Sequence, residues 1–212
     1  PASNLAAEAP APIQFVTLLR DPLRRYLSQY RYWNRVLGKD WSFERFLDHE
    51  PSFDFQTRKL AGERDVDRAI HALRHQCALV GTVERLDEFL LQLAALLPRA
   101  FDPHYRARNT GESDRAESDR LLEEFGGEIR ERNAADLALY AAALEHVLPA
   151  QRKRYAGDLE RDLIAFRERQ RQSTPPAVDV RLLADAALRK GWYEPITGFV
   201  RRRNGLPARG SY

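Results

Sequence analysis

Arg20 stands directly after the apolar run Phe15-Val16-Thr17-Leu18-Leu19, and Ser28 lies eight residues further on within a stretch of helical spacing. An arginine at a strand end and a hydroxyl two turns along the following helix can close on one oxyanion. The first offers a guanidinium fork and the second a single O–H. Between them, Asp21 is suited to cap a helix through its side-chain oxygen, and Pro22 fits the first helical position, where its missing N–H costs nothing. Strand end, tight turn and helix start make a place for an anion, because free backbone N–H groups and the helix dipole point at the same spot. Many strand-to-helix junctions of this kind bind nothing. The residues by themselves leave both readings open.

Other groups carry weaker signals. His71 and His75 stand one helical turn apart, a spacing that can hold a metal. No carboxylate or cysteine spacing completes such a site, so solvated histidines and no metal are expected. Glu84 and Arg85 are expected to form a structural ion pair. Gln56 and Arg58 belong to a polar segment that also reads as an exposed helix start closed by Gly62. Residues 103–119 read as a polar loop with His104, Tyr105, Arg106, Arg108 and Asn109. No residue is assigned as catalytic base.

The elements that position these groups follow from periodicity. Phe15–Leu19 is short, apolar and without strict alternation, which suits a strand covered on both faces in a parallel sheet. From Pro22 onward, Leu23, Tyr26, Leu27, Tyr30 and Trp33 recur at spacings of three and four, with Arg24, Ser28, Arg31 and Arg35 on the opposite, cationic face. Gly38 is a plausible terminator, and Ser42 starts a short second helix. Asp65 to Gln76 has helical spacing through Val66, Ala69, Ile70 and Leu73. Cys77-Ala78-Leu79-Val80-Gly81 reads as a second buried strand, with Thr82 to Leu90 entering another helix. Two strands joined by helical crossovers imply an α/β fold with a parallel sheet. The chain then becomes helical from Glu117, with Asn133 and Asp136 in a capping arrangement. A long charged helix over 149–172 and a Ser173-Thr174-Pro175-Pro176 linker follow, and lead to a helical extension.

Composition narrows the classes. The chain has 212 residues, 43% hydrophobic and 31% charged, which is the range of globular domains rather than of disordered segments. A net charge of +3 is too even to imply nucleic acid. Four of the 34 basic residues are lysine and the rest arginine, a bias that suits phosphate or sulfate but equally reflects genome composition. No apolar run reaches the roughly 20 residues of a membrane span. Cys77 is the sole cysteine, so no internal disulfide is expected and a cytoplasmic location is the simplest.

Four ordered segments within roughly residues 13–148 resemble sulfotransferases, most closely the Golgi-type, carbohydrate-modifying branch and its bacterial relatives. The first is Phe15 to Pro22 followed by Arg25 and Ser28, which is similar to that family's 3′-phosphate-binding motif. The second is Asp54-Phe55-Gln56-Thr57-Arg58-Lys59-Leu60-Ala61-Gly62, with Asp54 where an asparagine is more usual. The third is Val80-Gly81-Thr82-Val83-Glu84-Arg85-Leu86-Asp87-Glu88, and the fourth is the helix holding Asn133, Asp136, Leu139 and Tyr140. The resemblance implies a P-loop-like parallel sheet with a mostly helical C-terminal part, and 3′-phosphoadenosine 5′-phosphosulfate as co-substrate. It places the 3′-phosphate on Arg20 and Ser28, nucleotide-closing roles on Arg106, Arg108 and Asn109, and acceptor-side or scaffold roles on Gln56 and Arg58. A glycan hydroxyl is the implied acceptor.

The family's 5′-phosphosulfate loop, with its lysine and glycine, lies upstream of the first motif. Only 14 residues precede Phe15 here and none is lysine. The expectation is a partial sulfotransferase domain over 1–172 and a linker with a helical extension over 173–212. A catalytically inactive nucleotide-binding relative and a helical interaction protein remain as alternatives.

Overall fold

The computed structural model describes residues 14–97, 103, 105 and 112–172. Arg106, Arg108, Asn109 and the extension over 173–212 lie outside the described residues.

The chain is α/β and mostly helical, with one two-stranded parallel sheet among the described residues. Strand β1 is Phe15–Leu19 and strand β2 is Cys77–Thr82, paired so that Val16 faces Leu79 and Leu19 faces Thr82. Parallel pairing needs a crossover. Here it is helical: α1 (Pro22–Arg35), α2 (Phe43–Leu47), α3 (Phe55–Ala61) and α4 (Val66–His75). After β2 come α5 (Leu86–Leu96), α6 (Glu112–Arg132), α7 (Ala134–Ala142), α8 (Leu148–Arg154) and α9 (Leu159–Gln172), with a π-helical turn at Ala143–Val147. No helix among the described residues is long and apolar enough to cross a membrane.

Local chemistry sets the boundaries. The Asp21 side chain accepts from Arg24 N at 2.9 Å and Pro22 opens α1. Ser42 caps α2 through Arg45 N, and Asp65 caps α4 through Arg68 N. Gly62 takes a φ of 86° to end α3, a left-handed turn that glycine enters without a Cβ clash.

Two cores result. One joins Leu19 and Val80 of the sheet to Ala69, Leu73, Leu139, Ala143, Val147 and Leu148. The other is aromatic: Tyr26, Trp33, Phe43 and Phe46 pack with Leu121 and Ile129 of α6, and the Tyr26 hydroxyl donates to Phe46 O at 3.0 Å.

A buried polar hub ties these parts together through two helix starts that cap each other. Asp136 Oδ1 accepts from Thr57 N (2.7 Å) and Thr57 Oγ1 (2.8 Å), and its Oδ2 accepts from Gln56 N (3.1 Å), so a carboxylate of α7 caps α3. In return, Asp54 Oδ1 accepts from Asp136 N at 3.0 Å. Asp54 sits at φ 45° and its other oxygen pairs with Arg64 at 2.6 Å.

Several expectations are corrected. The local capping arrangement of Asn133 and Asp136 does not form. Asn133 instead accepts from Arg25 Nη2 at 2.7 Å and donates to Ile129 O, while Asp136 reaches across to α3. Strand β1 is not covered on both faces, since Val16 and Leu18 are 43% and 39% exposed. Helix α6 starts at Glu112, not Glu117, shortening the expected polar loop. Its first turn is held from α1, where Arg31 donates to Asp114 O at 2.8 Å and to the Ser118 hydroxyl, and Arg35 pairs with Asp114 and Glu117. The cationic face of α1 is therefore partly covered rather than wholly solvated. The expected long helix over 149–172 is broken: Tyr155 turns extended, and Asp158 caps a new helix through Arg161 N. The Glu84–Arg85 ion pair is not formed either, because the Glu84 carboxylate is held by other donors.

Candidate anion-binding site

Because β1 and β2 run parallel, their carboxyl ends lie side by side, which is where open α/β sheets place ligands. The residues that leave those ends are Arg20 and Asp21 from β1, and Val83 and Glu84 from β2. Gln56 braces the first turn. Its Oε1 accepts from Arg20 N at 2.8 Å and its Nε2 donates to Arg20 O at 2.9 Å. Glu84 Oε1 accepts from Asp21 N at 3.1 Å, and its Oε2 accepts from the Tyr140 hydroxyl at 2.9 Å. The Arg20 backbone is thereby clamped from two sides, by α3 and by the end of β2.

The Arg20 side chain is half-buried. No carboxylate pairs with its guanidinium among the described residues, and its Nε is buried without a hydrogen-bond partner. Burial lowers its pKa below the ordinary arginine value. The Glu84 carboxylate opposes that shift, and neighbouring Arg31 and Arg24 add to it. An arginine keeps its charge under such shifts. Arg24 and Arg31 therefore both stand within electrostatic reach of Arg20. Arg24, Ser28 and Arg31 share one face of α1 at spacings of four and three. Arg24 is exposed, and the Ser28 hydroxyl is half-buried with no hydrogen-bond partner among the described residues.

The expected site residues fall into three groups. Arg20 and Ser28 lie on the cationic side of the β1–α1 junction. Gln56 is 9% exposed, and both ends of its amide are engaged on the Arg20 backbone, a scaffold role. Arg58 points to a different carbonyl, Glu50 O at 3.4 Å. Arg106, Arg108 and Asn109 lie outside the described residues.

The start of α1 is also less open than its sequence implies. Arg24 N goes to the Asp21 side chain, and Asp21 N goes to Glu84. Anion recognition at this junction therefore falls on side chains rather than on free backbone N–H groups.

Sequence reasoning missed Glu84 and Tyr140 as parts of this edge. The signal was available in the strands, since Glu84 follows β2 as closely as Asp21 follows β1. Arg25 lies within the first of the four segments, where the sequence implies no role for it. It proves to be a buried strut, hydrogen-bonded to Gln29, Ser52 O and Asn133, with Nε 3.7 Å from Asp136 Oδ2. The rings of His71 and His75 lie 4.6 Å apart, tilted at 41°, on an exposed face. Among the described residues no group of three or more His, Cys, Asp or Glu is arranged to hold a metal. Comparison with family models, curated proteins and solved structures returns no match for this chain.

Proposed function

We propose that the β1–α1 junction binds the 3′-phosphate of a nucleotide, with Arg20 and Ser28 as its ligands. In this reading the chain is the nucleotide-binding part of a sulfotransferase that uses 3′-phosphoadenosine 5′-phosphosulfate, and its two parallel strands belong to a P-loop-like sheet. The observation that carries the reading is the Arg20 guanidinium, half-buried beside two other arginines with an unpartnered Nε. Partial burial of a cation is unfavourable unless something anionic compensates it. Glu84 does so only from beyond ion-pair distance. A phosphate dianion placed between Arg20, Arg24 and Ser28 would supply the missing counter-charge and offset the mutual repulsion of the arginines.

Within this proposal the acceptor is a carbohydrate hydroxyl, and sulfuryl transfer needs a base to deprotonate it and donors to stabilise the leaving bridge oxygen. No described residue is assigned to either task. The nucleotide site is testable without turnover. Adenosine 3′,5′-bisphosphate should bind the chain more tightly than adenosine 5′-phosphate in calorimetric titration. Arg20→Ala should weaken the bisphosphate roughly tenfold to a hundredfold, from about 1.5–3 kcal/mol for hydrogen bonds to a charged group. Ser28→Ala should cost less. Arg35→Ala removes a surface pair with α6 and should leave affinity nearly unchanged. Equal binding of both nucleotides by the unaltered chain would exclude the 3′-phosphate site.

A further inference from the structure

We infer that Glu84 reads the ribose of the bound nucleotide, accepting a hydrogen bond from the 2′-hydroxyl next to the 3′-phosphate; the inference rests on the phosphate site proposed above. The pairing of Leu19 with Thr82 brings the residues after β1 alongside those after β2, and the Asp21 N–Glu84 Oε1 hydrogen bond of 3.1 Å fixes the carboxylate there. Tyr140 fixes its other oxygen at 2.9 Å. Glu84 is nonetheless exposed, and forms no ion pair among the described residues.

A carboxylate has about four lone-pair positions. Two are used here, so each oxygen retains one towards solvent. Rigid placement by two donors, with accepting capacity left over, distinguishes this carboxylate from an ordinary surface glutamate.

The placement also matches the ligand's chemistry. Glu84 is near enough to Arg20 to act on its charge, yet is not paired with it. A carboxylate beside a phosphate-binding arginine repels the dianion unless a proton donor stands between them. On a ribose bearing a 3′-phosphate, the vicinal 2′-hydroxyl is that donor. Carboxylates at the carboxyl end of a parallel strand recognise ribose hydroxyls in the same way in dinucleotide-binding folds.

The test compares adenosine 3′,5′-bisphosphate with its 2′-deoxy counterpart by calorimetric titration into the full chain, Glu84→Gln and Glu84→Ala, with thermal melts to verify folding. The unaltered chain should bind the ribonucleotide about tenfold more tightly than the deoxynucleotide, the scale of one hydrogen bond to a charged group. Glu84→Ala should bind the two about equally, and Glu84→Gln, which keeps one acceptor oxygen, should fall between them. Equal affinity for both nucleotides in the unaltered chain overturns the assignment while the phosphate site stands, and needs no variant to fold. A Glu84→Gln variant that tightens both nucleotides by the same factor also overturns it, since the carboxylate then only opposes the phosphate. No binding of either nucleotide removes the phosphate site and this inference together.

Discussion

Replacing Asp136 by alanine should be among the most damaging single changes to this fold. The carboxylate is 0% exposed and accepts from Gln56 N, Thr57 N and Thr57 Oγ1. It also lies 3.7 Å from the Nε of Arg25, whose side chain is only 11% exposed. Alanine strands three donors and removes the counter-charge of a buried cation. A stranded buried donor costs about 1–3 kcal/mol, and breaking a buried ion pair about 3–5 kcal/mol. These terms overlap, and Arg25 keeps Gln29, Ser52 O and Asn133, so a loss of about 3–5 kcal/mol is expected. For a chain of this size that is a drop in Tm of roughly 6–20 °C. Asp136→Asn keeps one acceptor oxygen and should lose about half as much. Urea unfolding followed by far-UV circular dichroism measures both. The same variants should weaken binding of the bisphosphate, because Gln56 starts α3 on Asp136 and holds the Arg20 backbone. If Asp136→Ala loses less than about 1 kcal/mol, water replaces the carboxylate freely and the reciprocal capping does not hold the helices together.

Two further outcomes are expected. The His49 ring packs on Trp33 and Trp41, at 4.8 and 5.3 Å, and burial, aided by the Lys39 charge, holds its pKa below the ordinary value. The unfolded chain then takes up the proton more readily, so this residue's contribution to stability is full above about pH 6.5 and is lost as pH falls through the lower folded value. Urea midpoints should decline over that range, less steeply in His49→Gln; identical slopes would remove His49 as the cause. Gly81→Ala would place a Cβ 2.3 Å from Phe89 Cδ2 and 2.7 Å from Phe89 Cβ. Ring rotation cannot clear the second contact, so overpacking should cost about 1–3 kcal/mol, and an unchanged melting curve would mean that α5 slides freely over β2.

What the sequence made legible was local. The apolar runs at Phe15 and Cys77, the Asp21-Pro22 start and the glycine stop at Gly62 each signal within a few residues, and each element stands where those signals put it. Asp136 shows where such reading ends. Its spacing from Asn133 is that of a local cap, but the donors it satisfies belong to a helix about 80 residues earlier, and no local pattern separates the two outcomes. The break at Tyr155 was hidden similarly, because Gly157 is its only conventional signal and one glycine is tolerated within a helix. At the candidate site, the type and position of Arg20 were legible. Its clamp by Gln56 and its proximity to Glu84 were not, because the first depends on where Asp136 holds α3 and the second on the pairing of β1 with β2.

Reciprocal capping also sets an order in time. Residues 54–57 cannot complete their helix start until residue 136 exists, 82 positions after Asp54. At synthesis rates of about 5–20 residues per second, that gap lasts roughly 4–16 s. During it the amide groups of Gln56 and Thr57 remain with water, and Arg25 has neither Asn133 nor Asp136 to meet. The turn that presents Arg20 is built early in the chain, yet its support is delivered late. A nascent chain stalled before Asp136 should therefore lack the Arg20 clamp, however completely β1 and α1 have formed.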